Sequence, residues 1–540
     1  FLVRMEEVTD RIAAGETAAQ IVEKAKAEGT GYKASVEQMY YGNQQFLFVY
    51  EQFDDVRLVA APPSSIGKFG GDTDNWIWPR HTGDFSMFRV YASKDNRPAA
   101  YSPQNVPYRP KKHFSISTKG VKEGDFTMIY GFPGNTQEYI LSDAVAYIAE
   151  RSDPAKIAIR TGRLDIITKA QESDPALRIH YAAKHASIAN AWKKWQGEAL
   201  GIDRRGTVAA KFDYETQFGL WSVGRPEYAG VVMGLRVEYD RIMDAYFAYE
   251  ITRETLSTLP AAYTPEERAE ECFARRKFAE QALWRHAFRE YGRCPKVYRT
   301  PSYAEGMARY KSPEAYADAL FEAVWEGSDS VAMRPAVRLR EETKRMLDHI
   351  SWMLGTKSLR NLNSKILNEL YTTYIKGLRE WDRERAFYPD ANLTLRVAYG
   401  SVAGYEYADG EYHKPQTTLD GIIAKDNPEI YDYDIPQSLR DLYASKNYGR
   451  WGTVIDGRRT VPVCFLATNH TTGGNSGSPV LNAGGELIGI NFDRTWRSTM
   501  SDIAFDPAIC RNIAVDIRYV LFVVDRIGGA GYLLKEMTLK

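Results

Sequence analysis

Val463-Cys-Phe-Leu-Ala-Thr468, Gly473-Gly-Asn-Ser-Gly-Ser-Pro479 and Leu487-Ile-Gly-Ile-Asn-Phe492 follow one another towards the end of the chain, and their spacing decides the fold. The first and third are short apolar runs with β-branched and aromatic residues, which read as strands. The second is a loop of small residues. Val480-Leu481 follows the loop directly and is joined to Leu487 by the turn Asn482-Ala-Gly-Gly485, so a strand precedes the loop and a hairpin follows it. A nucleophile elbow of the α/β type needs a helix at that point instead.

A hydroxyl is a poor nucleophile at neutral pH, so an attacking serine needs a base, a group that orients the base, and amide donors for the oxyanion. Ser476 is the candidate nucleophile. The glycines around it let the backbone turn tightly enough to aim the amides of Gly474 and Ser476 at one point. The plainer alternative is an ordinary Gly/Ser turn. The strand ending Gly489-Ile-Asn-Phe-Asp-Arg494 runs beside the loop in this arrangement and walls a pocket, with Arg494 lining it. A guanidinium held there selects a carboxylate, because bidentate charge-assisted bonds are strongest in a partly dry site. Its bland alternative is a surface arginine paired with Asp493 or Asp506.

Upstream, a helical opening is expected over Glu6 to Lys26, then strands at Gln45 to Glu51, Val56 to Ala61, Phe85 to Tyr91 and Phe126 to Tyr130. From about Asn135 to Phe387 the texture changes to charged stretches with apolar residues three or four apart, as in Cys272, Ala279, Ala282, Leu283 and His286. Strand signals return at Leu393 to Tyr399. The expected fold class is therefore α+β, with a large helical domain (136–388) inserted between β parts at 1–135 and 389–540.

Lys plus Arg and Asp plus Glu both number 70, which leaves no global field to gather nucleic acid or an anionic membrane. At 540 residues the chain has room for several domains. The four cysteines, Cys272, Cys294, Cys464 and Cys510, are too scattered for a disulfide framework or a CxxC metal site. The longest apolar run, Tyr519 to Val524, falls far short of the roughly 20 residues that span a bilayer. No metal or organic cofactor is called for.

A second unusual stretch is Gly71-Asp-Thr-Asp-Asn-Trp-Ile-Trp-Pro-Arg-His-Thr-Gly-Asp84, too polar and too aromatic for plain linker. Asp84 is expected to open a strand, where a carboxylate can orient a histidine or merely cap a turn.

The segments NWIWPRHTGDFS, FYPDANLTLRVAYG, TGGNSGSPV and AVDIRYVLF together resemble the bacterial dipeptidyl-peptidase family that includes types seven and eleven, over nearly the whole chain. The resemblance implies a chymotrypsin-like double β-barrel with a helical domain over its cleft, releasing dipeptides from free peptide N-termini. By position it assigns Ser476 as nucleophile, Asp84 as orienting carboxylate and Gly474 as an oxyanion amide. It assigns the substrate amine to Asn75, Trp76, Arg80 and Asp493, with Asn190 reaching in from the helical domain. Trp76 as core and Arg80 as a tie between loops are the structural alternatives. Arg at position 494 marks the branch that cleaves after Asp or Glu. The resemblance further implies homodimers exported to the periplasm of Gram-negative bacteria.

The family's catalytic histidine lies in a TNHH-like motif, and no such motif occurs in this sequence. His470 and His81 stand too near Ser476 and Asp84 in the chain to bridge them, so both are expected to be structural. The general base is therefore expected to lie before Phe1. An endopeptidase without N-terminal counting, and a peptide-binding module on a dead protease scaffold, are the rival readings.

Overall fold

The computed structural model describes residues 1–29, 31–327, 330–356 and 362–540. The chain divides into two compact units, Phe1–Tyr139 with Ala386–Lys540, and Ile140–Arg385.

The first unit carries the sheets. Strands β1 (Leu2–Glu7), β2 (Tyr32–Met39) and β3 (Gln44–Glu51) form an antiparallel sheet in the order β1-β3-β2. The expected helical opening over Glu6 to Lys26 is two helices, Thr9–Ala13 and Ala18–Ala27, preceded by the strand Leu2–Glu7, which overlaps that range only at Glu6 and Glu7. Pairing of Met5 with Phe48 and Glu6 with Leu47 supplies partners that a local reading cannot see. Ala18–Ala27 starts where local rules place it, with Thr17 and Gln20 closing a capping box. Strands β4 (Val56–Ala60), β5 (Met87–Ala92) and β6 (Val106–Pro107) make a second small sheet.

The main sheet has seven strands. They are β7 (Phe126–Gly131), β8 (Arg396–Ser401), β11 (Gln416–Thr418), β14 (Pro462–Ala467), β15 (Pro479–Leu481), β16 (Leu487–Arg494) and β17 (Asn512–Asp516), in the order β11-β14-β17-β16-β15-β7-β8. The intervening β9 (Tyr405–Ala408) with β10 (Glu411–His413), and β12 (Thr453–Ile455) with β13 (Arg458–Thr460), are two-stranded ribbons. Every residue of β14 and β17 is buried, which is why Val463 to Ala467 reads as a continuous apolar run rather than as alternation. The apolar run at the C-terminal end is the buried helix Ile517–Phe522, packed in the same core as Val463, Leu466 and Val515. Among the described residues the strand pairing yields a mixed helix-and-sheet protein and no closed barrel.

The second unit is helical, its longest helices being Asp153–Ser173, Pro175–Arg204, Val231–Glu254 and Ser330–Leu354. Leu164, Ile167, Tyr181 and Leu283 share one of its cores. The periodic stretch around Cys272 breaks into Pro265–Ala269, a short 3₁₀ turn and Lys277–Tyr291, whose Leu283 and His286 face inward. All four cysteines are buried and free. Among the described residues no helix is long and apolar enough to cross a membrane.

Candidate active site

The Ser476 loop is wired by asparagines. Asn475, which is buried, accepts from Thr472 N through Oδ1 at 3.0 Å, and its carbonyl accepts from Asn491 Nδ2 at 3.1 Å. Asn491 Oδ1 in turn accepts from Asn512 Nδ2 at 2.9 Å, tying the loop to β17. Gly477 N donates to Asn491 O at 2.8 Å. These asparagines were missed in the sequence; the available signal was a polar residue, Asn491, inside the apolar run Leu487 to Phe492.

Gly474 sits at φ +105°, and a Cβ there would come within 2.4 Å of Phe132 O. Only glycine fits that approach. The neighbouring Gly134 N donates to Gly473 O at 2.6 Å, pressing the turn after β7 against the loop. Among the described residues the amides of Gly474 and Ser476 have no protein acceptor, while Ser476 is exposed and its Oγ donates to Phe492 O at 3.2 Å. An exposed hydroxyl beside two unused amides is what attack and oxyanion capture require.

Phe492 lies at an irregularity in β16, where the pairing slips between Asn491–Ala514 and Asp493–Ile513. The extra residue re-aims the side chains that follow it. Asp493 Oδ2 accepts from Arg80 Nη1 at 2.7 Å and from Trp76 N at 3.3 Å, and its Oδ1 accepts from Arg494 N at 2.8 Å. A carboxylate has about four acceptor positions, so capacity remains for an ammonium. Trp76 holds a left-handed backbone, φ +66°, a conformation that costs on the order of 1–3 kcal/mol and that the surroundings must hold. Its ring lies under the Arg494 guanidinium at 5.6 Å. Arg80 is buried and also bonds Asp74 O and Thr82 Oγ1, so it holds the loop and the carboxylate together. Asn75 is half-buried between Asp74 and Trp76.

Arg494 is 4% exposed, not a surface residue, and it forms an ion pair with Asp502. Its Nη1 and Nη2 fork onto Asp502 Oδ1 at 2.6 Å and Oδ2 at 2.8 Å, with further Nη1 bonds to Ser501 Oγ and Thr471 O. Asp502 was not foreseen, and nothing in the 3₁₀ turn Trp496–Asp502 marks it in sequence.

Asp84 lies three residues before the strand it was expected to open, in a loop, because β5 begins at Met87. Although the residue is exposed, desolvation of its carboxyl raises its pKa and Asp493 adds to the rise, while Arg80 opposes it. The two charges that act on Asp84 are thus those of the Arg80–Asp493 pair.

Among the described residues no histidine bonds to Ser476 or Asp84. His81 is buried and desolvation, with Lys425 adding, pushes it down to about 3. His470 donates from Nε2 to Ser501 O at 2.9 Å and stacks on Phe505. Asn190 belongs to the helical unit, exposed on Pro175–Arg204. One group of possible metal ligands occurs among the described residues, His180, Glu270 and Cys272. The Arg276 guanidinium already bonds His180 Nε2 at 2.7 Å and Glu270 Oε2 at 3.3 Å, so the cluster holds its own cation and does not suit a metal.

The sequence signature of the Peptidase S46 family matches residues 2–277 and 266–539. The chain belongs to the Peptidase S46 family. Among S46 relatives it is 41% identical to the Asp/Glu-specific dipeptidyl-peptidase of Capnocytophaga gingivalis, over all of this chain and 83% of the relative. It is 43% identical to the enzyme of the same name from Flavobacterium psychrophilum, over 93% of this chain and 75% of the relative. A crystal structure of Porphyromonas endodontalis DPP11 in complex with the dipeptide Arg-Glu superposes with a TM-score of 0.85 at 33% identity, covering 100% of this chain and 85% of that one.

Proposed function

We propose that this S46 peptidase is a serine exopeptidase that releases N-terminal dipeptides whose second residue is Asp or Glu. The observation that carries the reading is the pair Asp493–Arg494 at the end of β16, one residue beyond the carbonyl that Ser476 touches. A peptide ammonium meets Asp493, with Asn75, Trp76 and Arg80 shaping its site, and Asn190 is added on the resemblance alone. Amine recognition counts off two residues, which brings the second carbonyl to Ser476 and its side-chain carboxylate to Arg494. Ser476 attacks, the amides of Gly474 and Ser476 hold the oxyanion, the C–N bond breaks and the shortened peptide leaves as its amine, and water then hydrolyses the acyl-enzyme ester to release the dipeptide. The proton passes through a histidine oriented by Asp84. The name and the dipeptide-bound structure of the relatives support this substrate class.

A chymotrypsin-like barrel is part of the proposal. Its support is a short ladder beyond the seven paired strands: Thr468 N donates to Ser401 O at 2.9 Å and Ala403 N to Leu466 O at 3.3 Å, joining the end of β8 to β14. Homodimerisation and export to the periplasm rest on the family resemblance.

The test compares the full-length protein on Leu-Asp fluorogenic substrate with a free and with an acetylated amine. Release from the free amine alone, abolished in Ser476→Ala, supports the exopeptidase. Equal cleavage of both forms would make it an endopeptidase, and binding without turnover would make it a peptide-binding scaffold.

A further inference from the structure

A buried guanidinium does not hold its place by itself. Removing the counter-ion of a buried charge is strongly destabilising, and the charge then turns towards water or draws water in. Arg494 is 4% exposed, and the fork from Asp502 fixes both of its terminal nitrogens. The neutral acceptors Thr471 O and Ser501 Oγ meet Nη1, which anchors one corner of a planar group without setting its rotation.

Asp502 is itself held at the backbone from two sides. Gln137 N donates to Asp502 O at 2.6 Å, and His470 Nε2 donates to the preceding carbonyl, Ser501 O, at 2.9 Å. His470 is thereby explained as a brace of this segment. A carboxylate so fixed gives the guanidinium one orientation, and preorganised charge is what lets a site discriminate.

We propose that Asp502 is a positioning residue for acidic specificity: it aims Arg494 at the substrate carboxylate, so that the specificity element is the Arg494–Asp502 pair. The proposal rests on the reading of Arg494 as the arginine that meets the substrate. Asp502 also places a negative charge behind the guanidinium, which opposes the incoming carboxylate. Positioning outweighs that repulsion here, because the two-pronged bond sets the rotation of the guanidinium.

The experiment measures kcat and KM on Leu-Asp, Leu-Glu and Leu-Ala substrates for the full-length protein and for Asp502→Ala, Asp502→Glu, Arg494→Gly and the Arg494→Gly/Asp502→Ala double variant. In Asp502→Ala the acidic-to-neutral ratio of kcat/KM falls by about tenfold or more, chiefly through KM. Asp502→Glu recovers part of the ratio. In the Arg494→Gly background the second substitution moves the ratio by less than about twofold, the signature of one residue acting through the other. The double variant buries neither charge, and a thermal melt on each variant separates loss of fold from loss of specificity. Equal losses on all three substrates, or an unchanged or increased acidic preference in Asp502→Ala, would overturn the proposal. A wild-type protein without acidic preference would instead sink the reading of Arg494, and this inference with it.

Discussion

Arg494 and Asp502 form a two-pronged ion pair, Nη1 to Oδ1 at 2.6 Å and Nη2 to Oδ2 at 2.8 Å, in which the arginine side chain is 5% exposed and the aspartate 14%. The arginine that a sequence reading assigns to substrate binding is therefore also a structural cation. Truncating it removes both prongs of a largely buried ion pair, so Arg494→Gly lowers the free energy of unfolding by about 3–5 kcal/mol. Urea denaturation checks this. Adding Asp502→Asn to Arg494→Gly recovers part of the loss, since it removes a carboxylate whose two-pronged cation is gone.

Gly474→Ala tests the oxyanion geometry. The methyl would meet Phe132 O at 2.4 Å from a backbone at φ +105°, so the loop must shift and the amides of Gly474 and Ser476 lose their common aim. The expected result is a fall in kcat of about a hundredfold or more, with KM changed far less. Steady-state kinetics on a single dipeptidyl substrate decides it.

His81 predicts how stability varies with pH. Its folded pKa is pushed down to about 3 by burial, while the unfolded chain titrates near 6.5. Between those values the unfolded state binds the extra proton, so stability falls as the pH is lowered from about 6.5 towards 3, by up to roughly 1.4 kcal/mol per pH unit from this residue. Above that window the residue contributes no pH dependence. Thermal melts from pH 7 to pH 4 should show a shallower decline in His81→Gln than in the parent.

The nucleophile loop was legible because its signal is local: glycines at strained positions, an apolar strand before and a hairpin after. The place of Asp493 and Arg494 beside that loop was legible from the strand that carries them. Their partners were not. Arg80 lies more than four hundred residues from Asp493 in the chain, and the 3₁₀ turn that ends at Asp502 carries no periodicity to announce a buried carboxylate. Leu2–Glu7 was not read as an element for the same reason, since its pairing with β3 is what makes it a strand. Arg80 ties the loop to β16, as the structural alternative for it had it: it binds Asp74 O and Asp493 with the same nitrogen.

The most direct measurement of the central claim is kcat/KM on Leu-Asp, Leu-Glu and Leu-Ala substrates for the full-length protein, Ser476→Ala and Arg494→Gly. The account predicts fast release from the two acidic substrates, none from any substrate in Ser476→Ala, and a preference moved towards Leu-Ala in Arg494→Gly. Equal rates on all three substrates in the wild type, or acidic preference retained in Arg494→Gly, would contradict it.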